Sequence, residues 1–165
     1  MNLRRIGIIH SPHQGAAGTP VQSALAAGVR GTVEVFPEYA AGLRDLDGFE
    51  RFWLVYWFDR AKSAELVMTP YLDTTPRGLF AARAPCRPNP IGLSAVRLLG
   101  IVGSVLEVVG LDILDNTPLL DIKPYIPSFD AFEAERIGWC ADVQSGGGVA
   151  DGRFEVGGGG RGLDC

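Results

Sequence analysis

The chain has 165 residues, of which 47% are hydrophobic and 21% charged, one domain's worth of sequence with ample apolar content for a closed core. Its formal charge of −4 argues against a protein that coats nucleic acid non-specifically. Three cysteines, Cys86, Cys140 and Cys165, form neither a paired framework nor a Cys-x-x-Cys, no secretory signal follows Met1, and no apolar run is long enough to cross a bilayer. A cytoplasmic location is expected.

Leu3 to His10 and Gly31 to Phe36 carry apolar residues at strand spacing, and each predicts a short strand, with a loop over Ser11 to Gly18 between them. His10 and His13 are separated by two residues, a spacing open to metal ligation, but there is no third histidine and the cysteines are remote, so no metal is expected. Glu38 to Phe49 predicts a helical turn or two. Phe52-Trp-Leu-Val-Tyr-Trp-Phe58 is a continuous apolar run that predicts a strand buried on both faces. Glu65 to Leu72 and Gly78 to Arg83 are further strand candidates. Ile91 to Ile101 predicts a longer strand, turning through Val102-Gly-Ser104 into Val105 to Leu111 as a hairpin. Asp112 to Pro118 reads as a polar loop, Leu119 to Ile122 as a strand, and Ser128 to Ile137 as a helix capped by Ser128 or Asp130. About seven short strands with so little helix point to a mainly β (α+β) fold, a small and mostly antiparallel closed β-barrel over residues 1–140.

The remainder, 141–165, is expected to be a flexible tail, because nine of the 21 residues from Ser145 to Cys165 are glycine. A Gly-x-Gly-x-x-Gly at Gly157, Gly159 and Gly162 is no dinucleotide site, since no helix can follow it before Cys165.

Two motifs carry the chemistry. In Gly78-Leu-Phe-Ala-Ala-Arg-Ala-Pro-Cys-Arg-Pro-Asn-Pro-Ile-Gly-Leu-Ser94, three prolines stiffen the backbone around Arg87 and Asn89, so that ordering it on a ligand costs little entropy. From Thr74 through Leu106 there is no carboxylate, while Arg77, Arg83, Arg87 and Arg97 all lie there, a locally basic segment suited to an anionic or carboxylate-bearing ligand. The alternative is that these arginines pair with carboxylates elsewhere in the fold. In the second motif, Asp115, Asn116 and Thr117 form a polar turn fixed by Pro118, and Asp121, Lys123 and Tyr125 alternate along one strand face. That triplet is either a site or the solvent face of an edge strand.

Asp47 to Phe58, then Gly78 to Ser94, then Leu114-Asp-Asn-Thr-Pro118 with Asp121-Ile-Lys-Pro-Tyr125, resemble the TsaA/YaeB (TrmO-like) family over roughly Arg5 to Ile137. The resemblance implies a homodimeric β-barrel methyltransferase that uses S-adenosyl-L-methionine to methylate N6 of threonylcarbamoyladenosine at position 37 of tRNA. It places the cofactor on Gln22, Ser23 and Ala24, on Asp59 and Arg60, on Arg83, on Leu93, and on Asp115, Asn116, Thr117 and Pro118. The family often has His-Gln where Asp59-Arg60 stands. By residue type, Asp115 and Asp121 are the candidate proton acceptors, with Lys123 and Tyr125 as orienting groups, and Arg77, Arg87 and Asn89 are candidates for contact with the acceptor. A methyltransferase of this fold acting on a small carboxylate-bearing molecule, and a non-catalytic barrel binding a nucleotide-like ligand, are the alternatives.

Overall fold

The computed structural model describes residues 2–143 and 148–155. Strands are β1 (Gly7–His10), β2 (Arg30–Val35), β3 (Arg51–Trp57), β4 (Val67–Met68), β5 (Arg77–Gly78), β6 (Ile91–Val102), β7 (Val105–Val109) and β8 (Thr117–Pro124). All but β4 and β5 close into an antiparallel barrel in the order β1-β2-β7-β6-β3-β8, and β4 pairs with β5 as a separate ribbon.

The period-2 pattern of the strands builds the barrel interior. Ile9, Val33, Phe52, Leu54, Val96, Leu106, Val108 and Leu119 are fully buried there, and each such side chain contributes about 1.5–3 kcal/mol by leaving water. Along β3 the residues Phe52, Leu54 and Tyr56 point inward, whereas Trp53, Val55 and Trp57 are only half-buried on the outer side. The run expected to be buried on both faces therefore has one core face, and its outer aromatics remain free to line something else. β3 and β6 hold register from Arg51 opposite Arg97 to Trp57 opposite Ile91. At Gly92 the barrel wall is so close to the Tyr56 ring that no side chain fits there.

Several expected elements are shorter than their patterns suggest. The candidate over Glu65 to Leu72 pairs only at Val67–Met68, where Pro70, lacking an N–H, cannot extend the ladder. The strand expected over Gly78 to Arg83 stops at Gly78 and passes into a single 3-10 turn at Leu79–Ala81 that buries Leu79. The helix expected over Ser128 to Ile137 is one turn, Pro127–Asp130. Its Phe129, together with Phe132 and Ile137 beyond it, is exposed; without a surface to pack against, apolar periodicity cannot offset the cost of nucleating a helix.

The largest departure concerns the glycine-rich C-terminal region. Residues 144–147 and 156–165 lie outside the described residues, but 148–155 are docked and not loose. Val149 bridges to Pro20 and Glu155 to Ala61. Phe154 is 5% exposed in a small cluster with Met68, Leu79, Ala84 and Cys86, and its ring meets Tyr71 edge-on at 4.9 Å. Arg153 donates to the carbonyls of Thr69 and Pro70, and the Glu155 carboxylate accepts the Ala16 amide at 3.0 Å. One large apolar side chain and two charged anchors hold the segment despite its glycines.

Candidate functional site

A cavity of about 830 Å³ opens beside the barrel where the end of β3 and the start of β6 meet the loops around residues 16–22, 59–61, 80–87 and 112–117 and the docked segment 150–155. Its walls are mainly apolar, supplied by residues such as Trp53, Phe58, Phe80, Ile91, Leu93 and Phe154. A second depression of about 490 Å³, between residues 40–47 and Ile101, holds none of the expected site residues.

The polar groups on the main cavity fall into two clusters. Arg83 lies exposed at the rim and donates from Nη1 to Gln22 Oε1 at 2.8 Å, which joins the loop after β1 to the Pro-rich segment. Arg60 donates from Nη2 to the Asp115 carbonyl at 2.6 Å and to Thr117 Oγ1 at 3.2 Å. The Thr117 hydroxyl in turn donates a hydrogen bond to the Leu114 carbonyl at 2.7 Å. The guanidinium thus staples the 115–117 turn to the end of β3. Arg60 Nε sits 3.5 Å from Asp59 Oδ1 but is buried without a hydrogen bond. Burial raises the Asp59 carboxyl above its usual value against the opposing pull of Arg60.

Asp115, a candidate proton acceptor by residue type, is held in a network of donors. Its carboxylate accepts the Ser11 amide at 3.1 Å, Gln14 Nε2 at 3.4 Å and Asn116 Nδ2 at 2.8 Å. Burial opposes ionisation, yet these donors and nearby His10 hold the carboxyl below its ordinary range. Asn116 takes the left-handed conformation at φ 60°, one that asparagine tolerates better than most residues.

Of the expected cofactor residues, Gln22, Asp59, Arg60, Arg83, Leu93 and Thr117 line the cavity. Ser23, Asp115, Asn116 and Pro118 are chain neighbours of lining residues, Ala24 stands two positions beyond Gln22, and none of the five is part of the wall. Asp121 and Lys123 form a 2.7 Å ion pair on the outer face of β8, opposite Val55 and Trp53 of β3. Tyr125 packs edge-on against Trp53 at 5.4 Å. Arg87 lines the cavity while donating from Nη1 to the Ala82 carbonyl at 2.9 Å. Arg77 is paired with Asp73 at 2.7 Å away from the wall, and Asn89 is exposed within the Pro-rich turn.

Sequence reasoning passed over Asp112, Tyr56 and Ser94. The Tyr56 hydroxyl and Ser94 Oγ are bonded at 3.1 Å in a buried position. Burial, then the neighbouring Asp112 carboxylate, raise the phenol well above its ordinary value, so it stays protonated. Asp112 also lines the cavity.

The model of the tRNA-methyltransferase O N-terminal domain matches residues 8–131. The chain belongs to that family. It is 52% identical, over 82% of its length and 74% of the relative's, to a probable S-adenosyl-L-methionine-binding protein of Pyrococcus abyssi. It is 35% identical to the tRNA (adenine(37)-N6)-methyltransferase of Escherichia coli over 76% of this chain and 57% of that one. The crystal structure of TrmO from Pseudomonas aeruginosa superposes with a TM-score of 0.72 at 37% identity, covering 85% of this chain and 61% of that chain. The closed barrel is thus the TrmO N-terminal barrel, and the docked segment 148–155 lies beyond the stretch that the family model matches.

Proposed function

We propose that this chain is an S-adenosyl-L-methionine-dependent methyltransferase that acts on N6 of adenine 37 of tRNA, with the threonylcarbamoyl-modified adenosine as acceptor. The observation that carries this reading is the cavity itself. Apolar walls bearing arginines, a glutamine and buried, unpartnered polar atoms suit a nucleoside joined to an amino acid, which offers an aromatic face, several donors and a carboxylate. Relatives named for binding this cofactor, and others named for methylating tRNA, support the same reading.

Arg83 with Gln22, Asp59 with Arg60, Leu93 and the 115–118 turn are the residues we assign to hold the cofactor, with Ser23 and Ala24 completing the loop behind Gln22. When bound, the group supplies a methyl on a sulfonium with a good leaving group. What the chain must add is alignment and a proton acceptor, because a urea-like acceptor nitrogen is a poor nucleophile until its proton is removed. Neither carboxylate named from sequence lines the cavity wall. Of the two we assign the proton-accepting role to Asp121, which is half-exposed opposite Val55 and held by Lys123 and the Ile122 amide, with Tyr125 two residues beyond Lys123, whereas the Asp115 carboxylate is engaged by three donors. Arg87, with part of its guanidinium uncommitted, is assigned to the threonyl carboxylate. Asn89 would border the acceptor, and Arg77 would meet phosphate by exchanging Asp73. Exposed Phe80, Ile91 and Leu93 at the cavity rim favour a second copy against this face, in keeping with a homodimer.

Purified protein with labelled S-adenosyl-L-methionine is expected to methylate tRNA carrying threonylcarbamoyladenosine and to leave unmodified tRNA nearly untouched, as read by mass spectrometry of the nucleosides. Equal methylation of both would remove the carboxylate-holding role of Arg87. Labelling of neither tRNA, with turnover on a small carboxylate acceptor, would establish the reading that the net charge of −4 favours.

Arg83→Ala should weaken cofactor binding roughly tenfold to a hundredfold, the value of a charged contact of about 1.5–3 kcal/mol. Its melting temperature should barely move, since Arg83 is exposed and bonds only Gln22 among the described residues. Unchanged affinity by calorimetry would remove Arg83 from the site.

A further inference from the structure

Asp112 stands immediately after β7 and the Gly110-Leu111 turn, between the buried Leu111 and Ile113, and its carboxyl lines the cavity. Oδ1 is shut off from solvent and has no hydrogen-bond partner. A buried acceptor in that state is unfavourable, and an ionised one more so unless a charge meets it. Nothing in the barrel's packing requires a polar group here, since the residues on either side are aliphatic. Tyr56 from β3 and His13 from the loop after β1 are the titratable groups that face it, with the Ser94 hydroxyl of β6 on the same side. Tyr56 shares its hydroxyl with Ser94, and the His13 ring donates from Nε2 to the Leu111 carbonyl at 3.2 Å. The Ser94 hydroxyl and the Ser23 and Asp112 amides favour the charged carboxylate, yet Oδ1 itself has no partner, which leaves it open to a donor from the cavity.

Resting on the reading that S-adenosyl-L-methionine occupies this cavity, we infer that Asp112 is a ligand-contacting residue that receives the cofactor's α-ammonium group. An ammonium is the donor that best matches a buried carboxylate, because it supplies hydrogen bonds and the opposite charge together. The arginines of the two polar clusters, Arg83 and Arg60, are then left for the α-carboxylate. The unliganded protein carries a destabilising feature that the ligand relieves.

Three measurements follow. Calorimetry compares S-adenosyl-L-homocysteine, which keeps the amino-acid end, with 5′-methylthioadenosine, which lacks it. Asp112→Asn should weaken the first at least tenfold while leaving the second unaltered. Burial raises the Asp112 carboxyl above its ordinary value. In wild type, homocysteine-ligand affinity should therefore fall as pH drops through that raised value, with the methylthioadenosine affinity flat. An acid whose folded value is raised destabilises the folded protein at pH above its unfolded value, so unliganded Asp112→Asn should melt at the wild-type temperature or higher. Equal weakening of both ligands, or of neither, would overturn the assignment. Failure of wild type to bind either ligand would overturn the cofactor reading, and this assignment with it.

Discussion

Gly92→Ala is expected to destabilise the barrel by about 2–4 kcal/mol and to abolish measurable cofactor binding. A Cβ at this position would enter the Tyr56 ring at Cε2 and Cζ. The ring is 4% exposed, held edge-on to Phe58 at 5.1 Å and bonded to Ser94, so it can yield only by leaving its place. Overpacking of that kind costs about 1–3 kcal/mol, and losing the Tyr56–Ser94 hydrogen bond adds about 1 kcal/mol. That is a large part of the 5–15 kcal/mol that holds a typical domain together. Tyr56 and Gly92 both line the cavity, which explains the second effect. Gly100→Ala, on the same strand with nothing within 4 Å of the new Cβ, is the control. Equal urea midpoints for the two variants would show that the ring moves aside at no cost.

Phe154→Ala should cost about 3 kcal/mol, and a chain ending at Val143 should lose more. The estimate follows from the usual loss of about 3–5 kcal/mol for deleting a buried phenylalanine, taken at its lower end because the cluster around Phe154 is small. Truncation also strips the Lys62 amide of its bond to the Phe154 carbonyl and the Ala16 amide of Glu155. Since Ala150, Phe154 and Glu155 form one wall of the cavity, cofactor affinity should fall along with the melting temperature. A truncated chain as stable as the full one would mean that the segment rests on the protein without holding it.

The barrel was legible because its signals are local. Alternation in Ile91 to Ile101, the Gly103 turn and the run from Phe52 to Trp57 each declare themselves within a few residues, and the Pro-rich segment does land on the cavity. What escaped depends on distant partners. Asp112 reads as one more residue of a polar loop until the fold sets it beside Tyr56 and Ser94. Phe154 looks stranded among glycines until Met68, Leu79 and Cys86 are assembled to receive it. The reverse failure occurs at Phe132 and Ile137, where helical spacing is present but the fold supplies no surface for it. Asp115 marks a subtler limit: its place in the turn was foreseen, but that its carboxylate would be consumed by Ser11, Gln14 and Asn116 could not be read from spacing.

Strand β6 has two tenants. Its inward residues Gly92, Ser94 and Val96 face the barrel interior, while Ile91 and Leu93 on the opposite face belong to the cavity. A slip of one position against β3 would exchange these sets, turning core residues outward and cavity residues inward. No partly unfolded form with shifted pairing can therefore keep its ligand. Loss of binding and loss of spectroscopic structure should then share one midpoint on heating, which makes ligand occupancy a reporter of correct strand alignment in any refolded or engineered preparation of this chain.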